Sequence, residues 1–156
     1  MFTSKQALDE LILETFRFHG LLIAAGDRLT RDLGLSSARW QVLGAIGKSD
    51  VAPSLSAIAR TMGLSRQAVR RVVNELEAES LVETTGHPAN RRLRLVLLTD
   101  LGRSAHDKAN ERQVLWAERL AEGLLAETLV TAVKVMRDIR HQLEADASTQ
   151  SKEDQG

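Results

Sequence analysis

Apolar residues recur at three- and four-residue spacing early in the chain. Leu8, Leu11, Ile12, Phe16, Leu22, Ile23 and Leu29 form one series, which Thr15, His19 and Gly26 complete. Asp9, Glu14, Arg17, Arg28 and Arg31 lie between them. This period predicts one long amphipathic helix over 6–32, stopped by Gly34. A second helix is expected from Ser36 or Ser37, either a good cap, carrying Trp40, Val42, Leu43 and Ile46. After a loop from Gly47 to Pro53, a short third helix opens at Leu55-Ser56, with Ser56 as its expected cap, and ends at Met62-Gly63. Ser65 then caps a fourth helix reaching about Glu79. Two short helices around Gly63-Leu64-Ser65 read as a helix-turn-helix.

The pattern then changes to short runs of strand-forming residues. Leu81, Val82 and Glu83 start a strand, Gly86, Pro88 and Asn90 form a turn region, and Arg92 to Leu98 make a second strand. The connection exceeds a two-residue hairpin loop and predicts a projecting, flexible wing. Thr99 caps a fifth helix over 100–121, and a sixth over 124–143 carries Leu125, Leu129, Val133, Met136, Ile139 and Leu143. The polar tail, 146–156, is expected to be disordered. The fold class is mainly α with a small β-hairpin wing. A winged helix-turn-helix over 36–103 lies between terminal helices, 1–33 and 104–145. Their apolar stripes exceed what so small a domain can cover, which predicts dimerisation helices and a homodimer. At 156 residues the chain is expected to form one compact unit.

Projected at 100° per residue, Val69, Val72, Val73 and Leu76 of the fourth helix share one narrow arc. Gln67, Arg71 and Asn74 hold the opposite arc, with Arg70 on its shoulder and Arg66 in the first turn. Arginine pairs with guanine edges, and asparagine or glutamine with adenine. A solvated polar face is the ordinary explanation of such an arc. Three features separate this one: it lacks the usual Glu-Lys mixture, it follows a helix-turn-helix turn, and Arg91, Arg92 and Arg94 follow in the hairpin. Basic hairpins of winged helices meet phosphates or the adjacent minor groove.

Net charge sharpens this reading. The chain is neutral overall, yet residues 54–99 carry seven basic and four acidic side chains, against eight and eleven over 100–156. Between Arg60 and Asn74 there are four arginines and no acid; Glu75, Glu77 and Glu79 follow at the helix end, expected to lie away from the groove. The absence of cysteine excludes disulfides, thiolate metal sites and thiol redox switching. Aromatics at 3%, with no tyrosine, argue against a base-stacking RNA module.

The stretches Leu55-Ser56-Ala57-Ile58-Ala59, Leu64-Ser65-Arg66-Gln67-Ala68-Val69 and Leu76-Glu77-Ala78-Glu79-Ser80-Leu81-Val82 resemble the multiple-antibiotic-resistance regulator (MarR) family. The hairpin from Asn90-Arg91-Arg92 through Leu98-Thr99-Asp100-Leu101-Gly102 is similar to that family's wing and the helix start after it. The resemblance covers 37–104. It implies a homodimeric transcription regulator, a ligand-responsive repressor, binding double-stranded DNA at a near-palindromic operator. By resemblance, recognition falls to Ser65, Arg66, Gln67, Arg70 and Arg71, joined by Asn74 from the helix projection, and the wing contact to Arg91 and Arg92. One position departs from the family. An acid usually stands two residues before the wing arginine, and here Asn90 precedes Arg92. An amide can hydrogen-bond a guanidinium, without charge assistance.

The family often holds a small aromatic or anionic effector between its dimer helices and its winged-helix lobe. The expected liners are His19, Trp40 and Trp116, with Arg17 for an anionic group. Packing of these aromatics in a core is the competing explanation. His19, His87, His106 and His141 form no short-spaced ligand pair, so no metal is expected. Gly47-Lys48-Ser49 matches the end of a phosphate-binding loop, but Val42 stands where that loop needs glycine. No nucleophile elbow or glycine-rich loop is present, so neither an enzyme nor a cofactor is expected. Asp9, Glu10 and Glu14 interrupt the first apolar stretch, and no run reaches membrane-span length. A cytoplasmic protein without membrane contact is expected. The alternative is a winged helix used for protein contacts without specific DNA binding.

Overall fold

The computed structural model describes residues 3–153. The order is α1 (Ser4–Thr30), a 3-10 turn (Arg31–Leu33), α2 (Ser37–Gly47), α3 (Leu55–Met62), α4 (Arg66–Ala78), β1 (Val82–His87), β2 (Asn90–Leu98), α5 (Asp100–Ala121) and α6 (Ala126–Glu153). The expectation of one compact unit is corrected. Residues up to Val114 form one unit and those from Leu115 onward a second.

Hydroxyl side chains start these helices by accepting bonds from backbone N–H groups that have no partner within the helix. Thr3 Oγ1 accepts from Gln6 N at 3.3 Å, while Gln6 Oε1 accepts from Thr3 N at 3.0 Å. Ser36 caps α2 through Arg39 N, Ser65 caps α4 through Ala68 N, and Thr99 Oγ1 accepts from Gly102 N at the start of α5. The cap of α3 is Ser54, which accepts from Ala57 N at 3.2 Å, and not Ser56. Ser54 has the extended backbone that a cap requires, φ −80° and ψ 163°, whereas Ser56 already lies inside the helix.

Helix α3 ends at Gly63, whose φ of 64° lets Leu64 N donate back to Ala59 O at 3.0 Å. Ser80 does the same after α4, with φ 59° and Leu81 N donating to Leu76 O at 2.9 Å. These closures turn the inner arc of α4 onto α2 and α3. Val69, Val72, Val73 and Leu76 are buried with Val42, Leu43, Ile46 and Ile58, and Val82 and Val96 close the core from the hairpin.

The α1–α2 junction is tight. Ser37 N donates to Asp27 Oδ1 and Ser37 Oγ to Ile23 O, both at 2.7 Å. A Cβ at Gly26 would collide with Ser37 Oγ. Arg112 of α5 donates to Leu29 O at 2.8 Å and forks onto both carboxylate oxygens of Asp32. That bond holds the Asp32 carboxyl below its ordinary range and raises the Arg112 guanidinium.

Two expectations about the chain's second half need correction. The hairpin strands run further than their apolar residues indicate, leaving only Pro88 and Ala89 between them. The tail expected to be disordered from Asp146 is helical to Glu153, and 154–156 lie outside the described residues. Ser148 and Thr149 sit in that turn, donating to Glu144 O and Ala145 O, and alanine and glutamate favour the helix. Among the described side chains of α6, only Ile139 is even half-buried. Among the described residues no helix is long and apolar enough to cross a membrane.

Candidate nucleic-acid interface

The recognition candidates share one outward face because the arc of valines beneath them is fully engaged with the core. Ser65, Arg66, Gln67, Arg70, Arg71 and Asn74 are all exposed. A shallow recess of about 570 Å³ gathers Ser65, Gln67, Arg70, Arg71 and Asn74, while Arg66 lies outside it at the first helical position. No acid stands in the first turn of α4. Among the described residues, no carboxylate lies within ion-pair distance of Arg66, Arg70, Arg71, Arg91 or Arg92. Arg39, by contrast, is engaged internally. It pairs with Glu75 at 3.4 Å and Glu79 at 2.7 Å, and donates to Gly34 O at 3.1 Å. Two of the three acids at the end of α4 are thus engaged by α2 through one shared guanidinium.

The wing presents its arginines by a break in register. Gly86 pairs with Arg94, and the next residue, His87, pairs with Asn90. Arg91, Arg92 and Leu93 therefore have no partner on β1 and form a bulge at the tip. Arg91 and Arg92 are exposed there. Asn90 Oδ1 accepts from the backbone N–H of Arg92 at 3.1 Å. The sequence suggested an amide on the guanidinium; the observed bond instead shapes the turn and leaves the guanidinium free.

The expected effector residues separate. Trp40 is half-buried on α2 and its Nε1 donates to Asn110 Oδ1 at 3.1 Å. It lines a cleft of about 360 Å³ with Lys48, Met62, His106, Asn110 and Gln113. Asn110 was not singled out by the sequence, and His106 and Lys48 were weighed there only for metal and phosphate sites and set aside. For His106 the signal was two α2 glycines: a Cβ at Gly44 would lie 3.5 Å from His106 Nε2, and one at Gly47 would lie 3.7 Å from its Cε1. His19 is exposed on α1. Arg17 is also exposed and lies 3.7 Å from Glu14 in a groove lined by α1 alone. Trp116 is half-buried and belongs to the second unit.

An exposed, cationic helix face behind a tight helix turn, beside a hairpin whose tip carries unpaired arginines, defines a winged helix-turn-helix DNA-binding protein. The MarR family model matches residues 33–93. The chain is 34% identical over 114 residues to an uncharacterized protein of Mycobacterium tuberculosis, covering 73% of this chain and 78% of that one. It is 30% identical over 97 residues to the transcriptional activatory protein BadR of Rhodopseudomonas palustris, covering 61% and 55%. The structure of CouR from Rhodococcus jostii RHA1, bound to p-coumaroyl-CoA, superposes with a TM-score of 0.71 at 28% identity, covering 86% and 92%. The chain belongs to the MarR family; it is a DNA-binding transcription regulator and not an enzyme.

Proposed function

We propose that the protein acts as a homodimeric, ligand-responsive repressor, each subunit laying α4 in one major-groove half-site of a near-palindromic operator. The carrying observation is the exposed α4 face with no acid in its first turn and no carboxylate on its arginines. Gln67, Arg70, Arg71 and Asn74 read base edges, and Ser65 and Arg66 meet phosphate at the helix start. Arg91 and Arg92 follow the backbone or the adjacent minor groove. Exposed apolar stripes support the dimer: Phe16 is 72% exposed, Leu21 71% and Leu125 73%. Two-fold symmetry then matches half-sites about 34–36 Å apart.

The cleft beside Trp40 suits a planar aromatic acid or its thioester, the class to which the ligand of CouR belongs. Its indole offers a flat apolar wall, Lys48 a cation, and Asn110 and Gln113 amides. A ligand there releases DNA only by binding the DNA-incompetent shape more tightly, and about 2–3 kcal/mol of difference suffices. A chromosomal regulator of this kind works in the cytoplasm.

The test is to sequence the genomic fragments that the purified protein retains, then measure release by aromatic acids and by peroxide. Enrichment of a two-fold-related site, with release by an aromatic acid and none by peroxide, is expected. Absence of salt-sensitive DNA retention would refute operator binding and leave a winged helix for protein contacts. Rapid release by peroxide, reversed by dithiothreitol, with no response to aromatic acids would refute the ligand mechanism.

A further inference from the structure

Glu77 stands apart from the other two acids at the end of α4. Its Oε1 accepts from the backbone N–H of Thr84 at 3.2 Å and from Thr84 Oγ1 at 2.8 Å. The single hydroxyl proton of Thr84 is therefore committed to Glu77, and its lone pairs face elsewhere. Arg94 Nη2 donates to that oxygen from across the hairpin. Arg94 lies two residues along β2 from Val96, the register partner of Thr84. It is exposed, and among the described residues no carboxylate comes within ion-pair distance of it. One guanidinium nitrogen is thus aimed by a hydroxyl while the charge and the other donors remain unengaged.

Arg94, Thr84 and Glu77 share a crevice of about 260 Å³ with Arg70 and Asn74 of α4. A guanidinium from the recognition helix and one from the wing line the same small space, with an amide beside them. Two guanidiniums against the one carboxylate of Glu77 leave the crevice with a net positive charge, which a further anion relieves. A phosphodiester carries one charge and free oxygens that suit the unengaged donors of Arg94, with Arg70 beside it reaching on to the base edges.

We propose that Arg94 is a DNA-backbone contact at the foot of the wing, set by a Glu77–Thr84 relay, so that an acid on the recognition helix favours DNA binding. This rests on the DNA-interface reading above and adds a contact and two positioning residues to it. Simple charge repulsion gives the opposite sign, since removing an acid from a DNA-facing helix should tighten binding.

The experiment is anisotropy of a labelled mixed-sequence duplex, about three helical turns long, titrated over a salt series. Arg94→Ala should flatten the slope of log affinity against log salt by about 0.9, the loss of one phosphate. Thr84→Val and Glu77→Ala should each weaken binding and add nothing in the Arg94→Ala background. Glu77→Gln keeps an acceptor and should bind like the wild type. An unchanged slope for Arg94→Ala, additive losses, or tighter binding by Glu77→Ala would overturn the proposal. Thr84→Val and Glu77→Gln are near-isosteric and carry the test if Glu77→Ala does not fold. Absence of salt-dependent binding in the wild type would refute the DNA interface itself, an outcome distinct from failure of this contact.

Discussion

Adding one methyl group at either of two glycines should move stability in opposite directions. Gly102 is buried in the first turn of α5, and a Cβ there would collide with the carbonyl oxygen of Leu81. That oxygen accepts from Thr99 N at 3.2 Å. Thr99 Oγ1 also donates to Ser80 O at 2.7 Å, so the methyl falls on the joint between α4, the wing and α5. Alanine gains about 1 kcal/mol of helix propensity over glycine. Overlap with fixed backbone costs about 1–3 kcal/mol. Displacing the first turn of α5 forfeits two hydrogen bonds at about 1 kcal/mol each. Gly102→Ala should therefore lose about 2–4 kcal/mol overall. Gly44→Ala makes the same chemical change in α2, but its Cβ would meet His106 Nε2 at an ordinary 3.5 Å. It should gain up to about 1 kcal/mol. Urea unfolding followed by far-UV circular dichroism measures both, at one protein concentration because the stability of the proposed dimer depends on it. Shifts of the same sign in the two variants, or a wild-type midpoint for Gly102→Ala, would refute the assignment of Leu81 O as the obstacle.

Three further outcomes are expected. Gln67→Ala should reduce discrimination between operator and random DNA by about 1–3 kcal/mol, while Arg91→Ala weakens both alike and flattens the salt dependence; competition titrations separate them. Ser80→Gly should stabilise the fold by about 0.5–1 kcal/mol, because Ser80 holds φ 59° and glycine adopts that conformation without strain; a lower thermal midpoint would contradict this. The Asp32 carboxyl is depressed by its bond from Arg112, so the unfolded chain takes up that proton first as pH falls. Its contribution is fully present above the ordinary Asp value of about 4 and is lost below it. A thermal-midpoint series should therefore fall more steeply in the wild type than in Asp32→Asn there.

Where one residue type can do a job, the sequence was informative. Gly63 with Ser65 set the helix-turn-helix, and Thr99 the start of α5, because few residues can close one helix or open the next. The α4 face was legible because four valine and leucine positions settle which side is down. Between two nearby serines at α3 the choice was not legible, since it depends on which one has extended backbone. The wing tip was misjudged because a bulge is a matter of pairing, which apolar alternation does not encode. Asn110 escaped notice, and His106 was weighed only as a metal ligand, because they matter only beside Trp40, 70 and 66 residues away in the chain. Glu77 was grouped with Glu75 and Glu79 by position, and only the fold shows that it faces the wing while they face Arg39.

A two-stranded sheet has two open edges, each a template on which another extended chain can pair. Here each edge is interrupted. On β1, the outward N–H of Thr84 is taken by Glu77 Oε1. On β2, Val96 N donates to Pro53 O at 2.9 Å, and Ser54 bridges Leu95. Beyond that bridge the bulge at Arg91, Arg92 and Leu93 breaks the flat ladder, and two charged side chains occupy it. The wing's arginines thus set charge against edge-to-edge pairing, besides the DNA contact proposed for them. Neutralising both should leave a hairpin more prone to self-association even when no nucleic acid is present.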